Sequence, residues 1–237
     1  MYGKATGTAK GKAGSMHVAS PEDGLLMTSA VVGTTIPVAV GAALANAYLK
    51  NDTLVVSFFG DGALHEGVFW ESLNFACVKK LPILFVCEDN DLAIHSRLKE
   101  RAGHKPIAEV VSTFYCHTGE AATVDVHEIY KKTKDMIAKM KTSGMPGFLH
   151  FKYYRHLEHV GVNEDFEAGY RSKKEALSWM RKDPVNMQRE RLLRMGMEET
   201  KILALEKSID EQIERSIARA KQAPFPVKSE YKTDVYA

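Results

Sequence analysis

An apolar run from Leu54 to Phe59 leads directly into Gly60-Asp61-Gly62, and a second, Pro82 to Cys87, ends in Glu88-Asp89-Asn90. Between them, from Ala63 to Lys79, the spacing changes to that of a helix, with Leu64, Val68, Leu73 and Ala76 or Cys77 on one face. Two buried-looking strands joined by one helix predict a parallel pair, because a helical crossover brings the chain back in the same direction. The crossover is expected to be right-handed. A strand as apolar and β-branched as residues 54–59 reads as a central one, covered on both faces. This unit limits the chain to an α/β fold in which ligands gather beyond the carboxyl ends of the strands.

The rest of the chain is read around that unit. Met1 to Ser20, rich in Gly, Lys, Ala and Ser, has little to bury and reads as a loop. Pro37 suits the first turn of a helix running to about Lys50, and small residues along that helix allow close packing. Residues 92–97 read as an ordered loop over a site, followed by a short helix near residues 106–113. The stretch 111–126 has no clear pattern. A helix from Val126 to Met140 turns Ile129, Met136, Ile137 and Met140 inward, and Phe148 to Tyr153 forms another strand. Beyond Gly161 the composition turns charged, and helices are expected over 173–181, 184–195 and 198–221. Ile202, Leu205, Ile209, Ile213 and Ile217 make an apolar stripe on the last of these. The tail after Pro224 reads as extended. Residues 1–160 are expected to form the ligand-binding α/β core, and 161–237 a helical C-terminal extension packing on the core or on a partner subunit.

Composition excludes several classes. The chain has 237 residues, 45% hydrophobic and 26% charged, an ordinary balance for a folded domain. A net charge of +2, with no aromatics among the N-terminal lysines, gives no case for nucleic acid. No stretch is apolar enough to span a membrane and no secretory h-region opens the chain, so the expected location is the cytoplasm. Cys77, Cys87 and Cys116 are too few and too scattered for a disulfide framework or a thiolate metal site.

The chemistry concentrates at the strand ends. Glycines on both sides of Asp61 let backbone approach a ligand closely, and its carboxylate can bind a metal. Asn90 follows one helix and one strand later, which brings the two strand tips together. These hard oxygen donors suit magnesium, with the Leu92 carbonyl, two phosphate oxygens and a water completing an octahedral shell. Gly60, Gly62 and Ala63 line the approach, and a helix starting at Ala63 would aim N–H groups at an anion. Magnesium suits a diphosphate, and the reading is thiamine diphosphate. A Gly-Asp-Gly turn could also be a plain tight turn. His17, in Gly14-Ser15-Met16-His17, could donate to a phosphate or a substrate, or be a surface histidine. In Tyr154-Arg155-His156-Leu157-Glu158-His159, Arg155 carries a fork of donors suited to phosphate, and His159 could donate or handle a proton. The same cluster could be a salt-bridged surface loop. His95-Ser96 could touch substrate or only order its loop.

Gly11-Lys12-Ala13-Gly14-Ser15-Met16-His17, the stretch from Gly60 to Asn90, and Tyr154-Arg155 through His159 together give a resemblance that spans residues 3–226. The chain resembles the alpha subunit of the thiamine-diphosphate-dependent dehydrogenase component of 2-oxo acid dehydrogenase complexes, a group that includes pyruvate, branched-chain and acetoin dehydrogenases. The resemblance implies a thiamine-diphosphate-binding fold, a mostly parallel sheet flanked by helices with a helical C-terminal region. It implies that Asp61, Asn90 and the Leu92 carbonyl hold Mg2+, that Val32 and Ala30 offer carbonyls to the aminopyrimidine, that Arg155 and His159 lie by the diphosphate, and that His17 is near the reacting end. His17 and His159 would be the catalytic pair. The implied reaction decarboxylates a 2-oxo acid and passes the acyl unit to a lipoyl group on a separate acyltransferase. A separate beta subunit, in an α2β2 heterotetramer, would supply the glutamate that activates the cofactor.

Several positions depart from that group's pattern. Its members usually begin further upstream, with an aromatic–arginine pair near the diphosphate, so the expectation is that another chain supplies those contacts, that the gene is shortened, or that binding is weakened. Asp89 stands where the group commonly has an asparagine, and a carboxylate there must point away or meet a cation. Val160 replaces a serine that is regulatory in the mammalian pyruvate enzyme. Glu66 to Glu71 also resembles transketolase, so a split transketolase moving a two-carbon ketol unit between sugar phosphates is the enzymatic alternative. A degenerate, non-catalytic partner subunit is the other.

Overall fold

The computed structural model describes residues 1–233. They fall into two compact units, one spanning Val32–Glu190 and the other joining Met1–Val31 to the chain from Arg191 onward.

The central unit runs α1 (Thr35–Tyr48), β1 (Val55–Gly60), a 3-10 turn (Asp61–His65), α2 (Gly67–Lys79), β2 (Ile83–Asp89), β3 (Leu92–Ala93), β4 (Ser96–Arg97), α3 (Leu98–Arg101), α4 (Ile107–Val111), β5 (His117–Ala122), α5 (Val126–Ser143), β6 (Gly147–Lys152) and α6 (Lys173–Met180). Four strands form one parallel sheet in the order β1-β2-β6-β5. On one face Ile36, Ala43, Phe69 and Leu73, from α1 and α2, pack with Ile83, Phe85 and Phe148. On the other, Met136 and Met140 of α5 pack on Leu84, Val86, Leu149 and Phe151. Alternate residues of β2 and β6 feed opposite cores, which is why both strands read as continuously apolar.

Three expectations need adjustment. β1 is an edge strand, not a central one. Its Val56 and Phe58 are exposed (Phe58 62%) because α5 lies against β5 and β6 at the far side of the sheet. The α-helix after Asp61 begins at Gly67, and residues 61–65 turn in a tighter 3-10 form first. The patternless stretch holds a strand, β5, whose Gly119 is bare where a Cβ would come within 3.1 Å of Leu149 and 3.4 Å of Met136. Small residues let β5 lie under α5, and that is why no apolar alternation marks it.

In the other unit, residues 1–31 form turns with a short 3-10 segment at Pro21–Asp23, and α8 (Glu199–Gln222) follows α7 (Pro184–Arg194), which crosses the boundary between the units. Ala5 N–H donates to Pro224 O at 3.0 Å and Lys4 Nζ to Lys221 O at 3.2 Å. Gly11, at φ +76, passes where a Cβ would sit 2.6 Å from Pro226 Cγ and 2.7 Å from Gly3 O, so only glycine fits. Of the α8 stripe, Ile202 is buried, while Leu205, Ile209 and Ile213 are exposed. Among the described residues no helix is long and apolar enough to cross a membrane.

Candidate functional site

Parallel register brings three strand ends to one edge. Gly60 pairs with Glu88, and Asp89 pairs with Lys152, so Asp61, Asn90 and Tyr153 each begin the chain's exit from the same side of the sheet. Tyr153 N–H extends the ladder, donating to Asp89 O at 2.9 Å. This is the edge where an open parallel sheet keeps its ligands.

Asp61 is 1% exposed. Its Oδ2 meets Nη2 of Arg101, and Nη1 of the same guanidinium lies 3.4 Å from the Asp61 carbonyl. Its Oδ1 is buried and makes no well-formed hydrogen bond, although the Asn90 N–H lies close enough to the carboxylate to favour its charged form. Burial raises the Asp61 carboxyl above the usual carboxylate range, the nearby Asp89 adds to the rise, and Arg101 and then the Asn90 N–H oppose both. His65, at the end of the same 3-10 turn, stacks on His104 with ring centroids 5.6 Å apart. Burial and then the Arg101 charge lower the His65 value.

Asp89 points away from this cluster. Its Oδ2 is 2.7 Å from His150 Nε2 and its Oδ1 accepts the Asp91 N–H at 2.8 Å. The Asp89 carboxylate, expected to turn away or meet a cation, thus meets His150, and the residue sits 4% exposed. Asn90 Oδ1 accepts the Leu92 N–H at 3.0 Å, closing a tight turn, and its Nδ2 donates to the Tyr153 hydroxyl at 3.2 Å. Leu92 is buried, in the two-residue strand β3 that pairs with β4. Asp91 (φ 67) and Ile94 (φ 56) hold the left-handed backbone of this small hairpin.

The segment after β6 is tied down by arginines. Arg155 donates through Nε to Leu157 O (3.1 Å), through Nη1 to Ile94 O (3.1 Å) and through Nη2 to the Tyr170 hydroxyl (2.7 Å). Arg171, 4% exposed, donates through Nε to Asp165 Oδ1 at 2.6 Å and through its Nη atoms to the carbonyls of Arg155, His156 (3.2 Å) and Leu157 (3.0 Å). Arg97 joins Asp91 (2.9 Å) to Glu175 (2.7 Å). Arg155 therefore sits at the rim of the strand ends with its fork turned to protein acceptors, and His159 is exposed in the following loop.

Gly60, Asp61, Gly62, Ala63, Asn90, Leu92 and Arg155 are thus neighbours along one edge of the central unit, and Val32 opens that unit with its side chain 60% exposed. His17 and Ala30 are exposed residues of the other unit. Sequence reasoning missed Arg101, His150, Arg171 and Tyr153. Arg101 and Arg171 are charges among many, and nothing in their spacing marks them. His150, a lone polar residue in the apolar strand 148–151, did carry a signal.

The donor set suits a hard cation. Asp61 Oδ1 is a buried acceptor with no well-formed hydrogen bond, the oxygen that the Arg101 pair leaves over, and a cation would complete it. The Asn90 carboxamide and the Leu92 backbone supply further oxygens close by in sequence, and Asp89 is withdrawn to His150. Oxygen-only ligands fit Mg2+. Gly62, where a Cβ would approach Ala93 Cβ to 3.3 Å, keeps the turn close against the hairpin.

A family model described as "Dehydrogenase E1 component" matches residues 1–229. The alpha subunit of acetoin:2,6-dichlorophenolindophenol oxidoreductase from Bacillus subtilis (strain 168) is 31% identical over 237 residues, covering all of this chain and 70% of that protein. The pyruvate dehydrogenase E1 component subunit alpha of Rickettsia typhi is 27% identical over 238 residues, again covering all of this chain and 72% of that one. Among solved structures, a transketolase from Leishmania mexicana aligns with 53% of this chain and 20% of its own at 22% identity and a TM-score of 0.47, too slight a likeness to bear on the reading.

Proposed function

This chain belongs to the dehydrogenase E1 component family, and from that membership we propose that it is the alpha-type subunit of a thiamine-diphosphate-dependent 2-oxo acid dehydrogenase. It takes part in decarboxylating a 2-oxo acid and in passing the acyl unit to a lipoyl carrier. Split-transketolase chemistry has no comparable support. Bound at the strand ends, thiamine diphosphate supplies the electron sink for loss of carbon dioxide.

The chain's own residues bind and orient. Asp61, Asn90 and the Leu92 carbonyl hold the magnesium of the diphosphate, while Gly60, Gly62 and Ala63 let backbone come close to it. Arg155 and His159, on the segment leaving β6, are assigned to the diphosphate, Arg155 by exchanging protein acceptors for phosphate oxygens. Val32 and Ala30 are assigned to offer carbonyls to the aminopyrimidine, and His17 and His159 are assigned the catalytic roles. A beta subunit supplies the activating glutamate in an α2β2 assembly, and a lipoyl-bearing acyltransferase receives the product. The domain assignment proposed is a diphosphate-binding core to residue 160 with a helical extension beyond it.

The single observation that supports the metal reading is the buried Asp61 Oδ1, without a well-formed hydrogen bond, beside the Asn90 turn. Calorimetric titration of thiamine diphosphate with Mg2+ into the chain, alone and co-expressed with its partner subunit, tests it. Binding that requires Mg2+ and disappears in Asp61→Asn is expected. Failure to bind with the partner present would favour a non-catalytic subunit.

A further inference from the structure

Asp61 has a partner that competes for the role proposed above. Arg101 meets one carboxylate oxygen through Nη2, yet the pair is only half made. Asp61 Oδ1 and Arg101 Nε are both buried and neither makes a well-formed hydrogen bond. A guanidinium satisfies a carboxylate best through two parallel bonds, and a buried pair stabilises only when its remaining polar atoms are also satisfied.

We infer that Arg101 is a competing counter-ion for Asp61, so that a divalent cation reaches the carboxylate only as the guanidinium withdraws. The inference rests on the magnesium reading of Asp61. The location of Arg101 suits such an exchange. It closes α3, a single turn spanning Leu98–Arg101, and the chain beyond it, at Gly103 and His104, is exposed. Withdrawal therefore moves one side chain at the end of one turn and leaves the sheet in place. The start of α3 stays fixed, because Arg97 is held by Asp91 and Glu175. A site competent only when Arg101 is away has an apparent affinity lowered by the fraction of time it is competent.

Mn2+ serves as the probe, titrated in the presence of fixed thiamine diphosphate and followed by its paramagnetic resonance. Wild type, Arg101→Gln, Arg101→Lys and Asp61→Asn are compared, each with its co-expressed partner. Arg101→Gln should bind Mn2+ roughly tenfold more tightly than wild type, and Arg101→Lys should fall between. Heat denaturation supplies the second readout. Arg101→Gln should melt below wild type in chelator, and the gap should close at saturating Mn2+. An affinity that is unchanged or weaker in Arg101→Gln, or an equal loss of melting temperature with and without Mn2+, overturns the inference and leaves the magnesium reading standing. If wild type and Arg101→Gln both bind no better than Asp61→Asn, both readings fall together.

Discussion

Asp89 and His150 form a buried, charge-assisted pair beneath the strand ends, and it should have a signature in acid. Burial alone would raise the Asp89 carboxyl, but the His150 hydrogen bond, the Asp91 N–H and nearby positive charge outweigh it and hold it below the ordinary range. A carboxyl with a lowered folded-state value binds fewer protons folded than unfolded. Its stabilisation is complete above the unfolded value, near 3.8, and is lost as pH falls through the folded one. Asp89→Asn should therefore cost about 1.5–3 kcal/mol at neutral pH and nothing at the acid end. Melting temperatures across that range would show the two curves converging, and a constant gap would refute the charge. The sequence placed Asp89 and Asn90 correctly at a strand end and required Asp89 to turn away or find a cation. It could not name His150 as the partner, because the pairing of β2 with β6 is a long-range event.

Among the elements, the loop following β6 depends on Arg171. Removing it leaves the Asp165 carboxylate, itself little exposed, without its nearest cation and frees three carbonyls at residues 155–157. Arg171→Ala should destabilise by about 3–5 kcal/mol. Faster amide exchange should concentrate in residues 155–165, and a uniform change would argue against this local role. At the other end of β6, a Cβ on Gly147 would sit 2.6 Å from Met140 Sδ and 3.0 Å from Leu84 Cδ1. Gly147→Ala should cost about 1–3 kcal/mol in urea unfolding through overpacking, and an unchanged midpoint would show that α5 moves aside. Helices α1, α2, α5, α6, α7 and α8 and strands β1, β2 and β6 were legible from periodicity and apolar runs. β5 was not, because Gly119 and Ala121 do their packing by being small, and propensity registers small residues as weak strand formers.

For the whole molecule, the misplaced strand is instructive. Residues 54–59 read as central because hydrophobicity reports that a face will be covered without reporting by what. In this chain β1 is an edge with Phe58 in solvent. An exposed apolar edge strand invites pairing with another chain. Phe58→Lys should reduce self-association of the isolated chain in light scattering while shifting its stability by no more than about 0.5 kcal/mol. An unchanged scattering profile would place the sticky surface elsewhere. The class of fold and the edge where the strand ends gather were legible because both follow from strand direction. The arginine contacts were not, since each depends on which loops fold over that edge.

Ile94 carries a last implication. A β-branched residue at φ 56 is held against its preference, and its carbonyl is the acceptor that Arg155 Nη1 reaches at 3.1 Å. The torsion and the charge are thus joined through one bond. Anything anionic that drew the arginine outward would also let this peptide relax toward an extended form, so the shape of the 92–97 hairpin is bound up with the electrostatics of whatever arrives beside it.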